Sequence, residues 1–431
     1  MTYNIWNKWD KLKTVMLGDS YPAEFFRDIK NDRIRSSLQQ IADETQEDLN
    51  YFEKVLKDFG CTVLRPVLDK NDSIFNYINI DGQVAGTKQG VPRSPLQPRD
   101  TQLVIGNKLY YTSIDHHSIA GCLNSYNIKD SDNSLLPSNM LADILDPVPL
   151  TKSCFEKLKG AGWLEYEDYL TPGYYEKLDP EIRKEIFKGT KDKGQYVLDE
   201  ILQAPSVTVV GKDIYIDWDT GILTKLEILT NPELKELAHL KEYFINSATL
   251  GDIANLFRIN SLSIGGHNDS CFHTIKEGAI LSLIEIQTYE NTFPNWEVCY
   301  LPDQSWSKVD GFLNLKKQVK GKWWVPGQED NVEFTNFVET WLQDWVGYVE
   351  ETVFDVNVLV LDEHHVCVNN MNPTVTEFLK KHKMEPVHIP WRHRYFWDGG
   401  LHCITLDLER EGEQQDYFPS RTGSVVDEGF D

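Results

Sequence analysis

The chain has 431 residues, 41% hydrophobic and 26% charged, a globular composition that can bury a large core and argues against disorder. Its formal charge of -24 and pI near 4.9 repel phosphate backbones and anionic lipid, which argues against nucleic acid or a membrane surface and favours a small cationic substrate. No apolar run approaches the ~18 residues of a membrane span, the Met1 to Asp10 start is neither basic nor apolar, and the seven cysteines form no Cys-x-x-Cys pair, so a cytoplasmic protein with reduced thiols is expected.

In chain order, the first expected strand is Leu12 to Gly18. A helical face follows, built from Leu38, Ile41, Leu49, Phe52, Val55, Leu56 and Phe59, ended by Gly60 and succeeded by a strand from Cys61 to Pro66. Residues 102–111 then read as a hairpin turning at Gly106-Asn107, and residues 207–216 as a second hairpin turning at Gly211-Lys212. Residues 272–283 form a third around Lys276 to Gly278, and residues 356–368 a fourth with His364 and His365 in its exposed turn. Asn372 caps a helix that begins at Pro373 and carries Val375, Phe378 and Leu379 on one face, before a strand near Pro386. The strand after Cys403 pairs with the opening one in a fifth unit joined across the termini. Repetition of strand, strand, helix, strand predicts a closed, pseudo-symmetric α/β arrangement whose strand ends converge on a central site. Residues 115–199 and 291–344 do not fit the repeat and read as insertions over a single domain spanning 1–431.

The chemistry-bearing residues recur at one place in the units. Asp100 stands just before the first hairpin, His267 and Asp269 just before the third, and Cys403 just before its own strand, after the pair Gly399-Gly400 that permits close approach. A closed repeat would aim them at one cavity. Singly, each has a structural reading: Asp100 as a turn residue, His267 as a loop histidine, Cys403 as a small core residue. His267, Cys271, His273, His402 and Cys403 also invite a metal site, but His-x-x-x-Cys-x-His matches no common zinc spacing, and strand alternation would send neighbours such as His402 and Cys403 to opposite faces. No metal and no cofactor are expected.

With these residues the chain resembles the guanidino-group-modifying enzymes of the pentein fold, a five-bladed α/β propeller of ββαβ repeats, and among them is most similar to the arginine:glycine amidinotransferases and their inosamine-phosphate relatives. The likeness rests on Asn7-Lys8-Trp9-Asp10, Val63 to Pro66, Pro98-Arg99-Asp100 with Val104 to Asn107, Gly211 to Ile214, His267-x-Asp269, Asn357 to Asp362, and Gly399-Gly-Leu-His-Cys403 with the tail Arg410 to Tyr417. It implies that Cys403 is the nucleophile, His267 the acid and base, and Asp100 and Asp269 the carboxylates that grip a guanidinium. Gln203 stands where the family has an acidic residue that orients the histidine, and Ser113 to Ser118 departs from the family's segment after the first hairpin. The implied function is transfer of the amidino group of L-arginine to an amine acceptor through an amidino-cysteine. The alternatives are an arginine or guanidine deiminase or dihydrolase, in which water attacks, and a catalytically retired guanidino-binding pentein. A homodimer is compatible with each.

Overall fold

The computed structural model describes residues 2–68, 71–76, 91, 93–100, 102–111, 127–129, 204–217, 256–262, 267–283, 288–301, 325, 328, 330–342, 345–346, 355–397, 399–423 and 425. Their strands fall into five sheets, none of them closed on itself. In one, β1 (Leu12–Leu17) pairs antiparallel with the C-terminal strand β15 (Thr405–Arg410) and parallel with β2 (Thr62–Val67). The expected joining of the two termini is therefore present. Helix α1 (Asp32–Asp58) connects β1 to β2; the Asn31 side chain accepts from the Arg33 and Ile34 amides at its start, and Gly60 leaves it at φ +85°.

The hairpins arise where the alternating segments meet glycine turns. Strands β3 (Gln102–Ile105) and β4 (Lys108–Tyr111) turn at Gly106, whose φ of +59° a β-carbon would strain. Three further units repeat the order seen across the termini, an antiparallel pair and then a parallel third strand. They are β6, β7 and β8 (Val207–Val210, Asp213–Asp217, Arg258–Leu262), then β9, β10 and β11 (Phe272–Lys276, Ala279–Leu283, Glu297–Leu301). The last contains β12, β13 and β14 (Leu359–Val360, His365–Val368, Glu385–His388).

The interval 291–344 and the placement of His365 differ from the sequence expectation. Glu297–Leu301 belongs to the repeat as the parallel partner of β10, so the interval 291–344 does not stand wholly outside it. Helix α2 (Val332–Trp341), from the same interval, packs on α1, tied by Asn331 Nδ2 donating to Arg33 O and to Ser37 Oγ. Of 115–199 only the strand β5 (Asn127–Lys129), antiparallel to β2, is among the described residues. His365 opens β13 half-buried, its Nδ1 2.9 Å from Asp362 Oδ1 and its ring against Phe59, whereas His364 is exposed as expected. Helix α3 (Pro373–Lys381) carries the Asn372 cap and buries Val375, Phe378 and Leu379.

Two large apolar clusters flank this framework: one joins α1, α2 and β1, the other joins β9, β10, β13 and α3. Between the sheets the chain turns inward just before each first strand. The 3-10 turn Pro98–Asp100 before β3 lies against the turn Ala204–Ser206 before β6, which lies against the helical turn Asn268–Cys271 before β9.

Candidate functional site

Cys403 lies in the turn Leu401–Ile404 ahead of β15, closed by the Ile404 amide on Gly400 O at 3.2 Å and the Thr405 amide on His402 O at 3.1 Å. Helical winding here brings His402 and Cys403 to the same carboxylate. Asp269 Oδ2 is 2.7 Å from His402 Nδ1 and 3.7 Å from Cys403 Sγ. The expected opposite orientation of these neighbours does not hold, because the alternation rule applies to extended strand and β15 begins only at Thr405.

Asn357 organises the centre. Its Nδ2 donates to Cys403 Sγ at 2.9 Å and to Asp269 O at 3.2 Å, while its Oδ1 accepts from the His402 amide at 2.8 Å and the Cys403 amide at 3.2 Å. One buried amide thus uses its donors and its acceptor to link three pre-strand segments. A β-carbon on Gly400 would sit 2.5 Å from Asn357 Oδ1, and one on Gly399 2.6 Å from Gln97 Nε2, so both glycines serve close approach. Asn357 stands two residues before β12, as Cys403 does before β15 and Asp100 before β3. That positional rule marks it in the sequence, where it otherwise reads only as part of a motif.

Asp269 is buried in the helical turn Asn268–Cys271, and His267 is half-buried as the residue capping that turn. Asp100 keeps 27% of its side chain exposed, with Arg93 Nη1 3.9 Å from its Oδ2. Its neighbour Arg99 is fully enclosed and donates through Nε to His402 O and Thr405 O, fastening the Asp100 turn to the Cys403 turn. Gln203 and Ser113 to Ser118 lie outside the described residues. The structure therefore brings Cys403 and Asp269 together directly and holds Asp100 next to their support through Arg99, with His267 at the start of the turn that carries Asp269.

Sequence reasoning passed over a buried charged layer beneath the thiol. Asp407 takes Arg99 Nη2 at 2.7 Å on one oxygen and Arg410 Nε at 2.8 Å on the other. Burial alone would raise its carboxyl, but Arg410, Arg99 and Lys8 outweigh that and hold it far below the carboxylate range. Lys8 Nζ reaches His402 Nε2 at 3.1 Å. Burial first, then the charges of Arg99 and Lys8, press His402 well below the ordinary histidine value, so its ring is neutral. His273, edge-on to His402 at 4.7 Å between ring centroids, is lowered in the same way, by burial and then by Lys8 and Arg99. Lys8, Thr208, Asp269, His273, Thr274 and His402 face a cavity with about 10 Å³ of room for a water-sized molecule, the scale of a single buried water. Among the described residues no three His, Cys, Asp or Glu side chains are arranged to hold a metal ion, and no helix is long and apolar enough to cross a membrane.

No protein-family model matches the chain. A mitochondrial glycine amidinotransferase of Danio rerio is 36% identical over 63 residues, and the matched stretch spans only 15% of this chain and 15% of that relative. The L-arginine:L-lysine amidinotransferase of Pseudomonas savastanoi pv. phaseolicola is 29% identical over 70 residues, 16% of this chain and 19% of that one. Solved structures extend the likeness to the whole fold: SxtG, an amidinotransferase of Microseira wollei in the saxitoxin biosynthetic pathway, covers 96% of this chain and 99% of its own with a TM-score of 0.51 at 16% identity. The chain shares the pentein fold with these amidinotransferases and resembles amidinotransferases in sequence over a short stretch. Inosamine-phosphate amidinotransferase StrB1 of Streptomyces griseus superposes on this pentein with a TM-score of 0.50 at 15% identity, over 96% of this chain and 99% of its own. At such identities the agreement concerns the path of the chain, and the chemistry of this pentein has to be argued from its own side chains.

Proposed function

We propose that this pentein transfers the amidino group of L-arginine to an amine acceptor through a covalent amidino-cysteine on Cys403, within five ββαβ blades of a pseudo-five-fold propeller. The observation that carries the reading is the convergence on Cys403 Sγ of Asn357 Nδ2 at 2.9 Å and the Asp269 carboxylate at 3.7 Å. A guanidinium is a planar cation with a weakly electrophilic carbon, so it needs a strong nucleophile and carboxylates that hold its N–H groups. Here the Asn357 amide is a donor suited to a thiolate, and Asp269 supplies a carboxylate beside the sulfur.

The sulfur attacks the guanidinium carbon, forming the S–C bond. The bond from that carbon to the δ-nitrogen breaks, and His267 delivers the proton that lets ornithine leave as an amine. The amidino group remains on Cys403. An acceptor amine then attacks the same carbon, gives its proton to His267, and expels the cysteine sulfur to yield a new guanidino compound. Asp100, at the partly exposed rim, is assigned the outer N–H groups of the substrate. The protein's acidic charge draws in the cation, and a cytoplasmic setting with free small-molecule amines suits the reaction.

Incubation with L-arginine, with and without a panel of amines, tests this by mass spectrometry. The expected results are ornithine, an amine-dependent guanidino product, and one amidino group on the peptide holding Cys403. Citrulline formed in the absence of any amine would establish hydrolysis instead, and absence of both adduct and products would leave a guanidino-binding pentein.

A further inference from the structure

Lys8 takes no part in that reaction, yet it is only 6% exposed and lies in the buried layer below it. Burying an amine among cations is costly unless its hydrogen bond matters to the fold or to the site. Its Nζ lies 3.1 Å from His402 Nε2, His402 Nδ1 lies 2.7 Å from Asp269 Oδ2, and that oxygen lies 3.7 Å from Cys403 Sγ. A neutral imidazole offers one donor and one acceptor, and an ammonium can only donate. With Lys8 on Nε2, that nitrogen must accept, and the ring proton must sit on Nδ1, facing the carboxylate.

We propose that Lys8 is a positioning residue, which occupies Nε2 of His402, keeps the ring in its neutral Nδ1–H form toward Asp269, and through it holds the Asp269 carboxylate beside Cys403. Its effect on turnover rests on the amidino-transfer reading; its effect on the ring does not. The groups that face Lys8 are Arg99 from the Asp100 turn, Asp407 and Arg410 from β15, Asp269 and His402 at the site, and His273 across the cavity. Asp407 is already shared by two arginines, and Arg99 is the strongest of the charges acting on Lys8. Burial, then Arg99, lowers its pKa to about 7. Above that pH the bond to His402 loses its charge assistance and holds the ring less firmly. The rate should fall as pH rises through about 7, and that limb should belong to Lys8.

The test uses the full chain labelled with ¹⁵N-histidine, comparing wild type with Lys8→Met, which keeps most of the side-chain volume, and Lys8→Arg, which keeps a donor. In wild type the His402 ring nitrogens should report one neutral Nδ1–H tautomer throughout the ordinary histidine titration range. Lys8→Met should leave the proton on Nδ1, where Asp269 accepts it, but free Nε2 to be protonated, returning His402 toward ordinary titration. It should also lower kcat roughly ten- to a hundredfold, the scale of one charge-assisted bond, with KM for arginine within about twofold, and remove the limb at about 7. Lys8→Arg should restore the neutral, non-titrating ring and part of kcat. Unchanged His402 shifts in Lys8→Met would overturn the proposal, as would equal kcat losses in both variants with the wild-type pH profile, which would mark a packing role. A wild-type protein that forms no arginine adduct would refute amidino transfer, while the ring-nitrogen shifts would still decide what Lys8 does.

Discussion

Two regions of this molecule bury a thiol almost completely, and they treat it differently. Cys61 and Cys367 lie in the apolar cluster around β1, β2, β12 and β13, where the nearest polar partner of Cys61 is the Leu12 carbonyl at 3.4 Å. Burial pushes the Cys61 thiol up to about 11 and the Cys367 thiol further still. Cys403 is just as enclosed, at 1% exposure, but its sulfur faces an amide donor and a carboxylate instead of aliphatic carbon and a carbonyl. Depth therefore does not separate the proposed nucleophile from a core residue. The separation lies in whether the fold delivers a donor to the sulfur, and here Asn357 does so from the segment just ahead of a different sheet.

Removing each sulfur in turn separates the two environments. Cys403→Ala should lower amidino transfer at least about a thousandfold, as expected for loss of a covalent nucleophile, while Cys367→Ala should leave single-turnover rates within about twofold. Equal losses in the two variants would mean that the donor environment of Cys403 has no catalytic meaning.

The donor itself is the next target. Asn357→Leu keeps the bulk but removes the bond to Sγ and strands the His402 and Cys403 amides, so kcat should fall roughly a hundredfold, as for loss of a preorganised donor. Gly400→Ala should move the rate the same way, because its new β-carbon would lie 2.5 Å from Asn357 Oδ1 and force the two apart. If Asn357→Leu turns over at the wild-type rate with circular dichroism unchanged, the contact is structural only.

Much of this was legible in the sequence because the cues are local. Glycine turns fixed the hairpins around Gly106, Gly211 and Gly278, and the Asn372-Pro373 start fixed α3. Apolar runs at both ends pointed to the pairing of β1 with β15. The recurrent position ahead of each first strand located Cys403 and Asp269, which the fold brings within 3.7 Å. What stayed hidden depends on contacts between residues far apart in the chain. Lys8 and His402 are 394 positions apart, and Arg99 and Asp407 308. No period or motif announces that two arginines will share one buried carboxylate with a lysine close enough to feel it. The strand of Glu297–Leu301 was obscured by the Trp- and Pro-rich residues around it, which resemble loop until β10 supplies an edge for pairing.

The smallest expected effect concerns the other thiol environment. Cys61→Ala should cost about 1 kcal/mol at neutral pH, a typical single-substitution loss, and leave turnover unchanged. Its informative signature is the pH dependence of stability. The Cys61 thiol has its pKa raised from 9.0 to about 11 by burial, so between those values the unfolded chain has lost a proton that the folded chain keeps. Because stability falls with pH wherever the unfolded state binds fewer protons, the contribution of Cys61 is fully present below the lower value and is lost as pH rises toward the upper one. Lys8 acts in the opposite sense from about 7 upward, since its lowered pKa leaves the folded state short of a proton. The raw alkaline slope therefore mixes both groups, but the difference between the wild-type and Cys61→Ala curves isolates the thiol. Denaturant midpoints measured across this range should show that difference shrinking as pH rises. A constant difference would mean that Cys61 ionises as easily in the folded chain as in the unfolded one, and the contrast with Cys403 would then rest on reactivity alone.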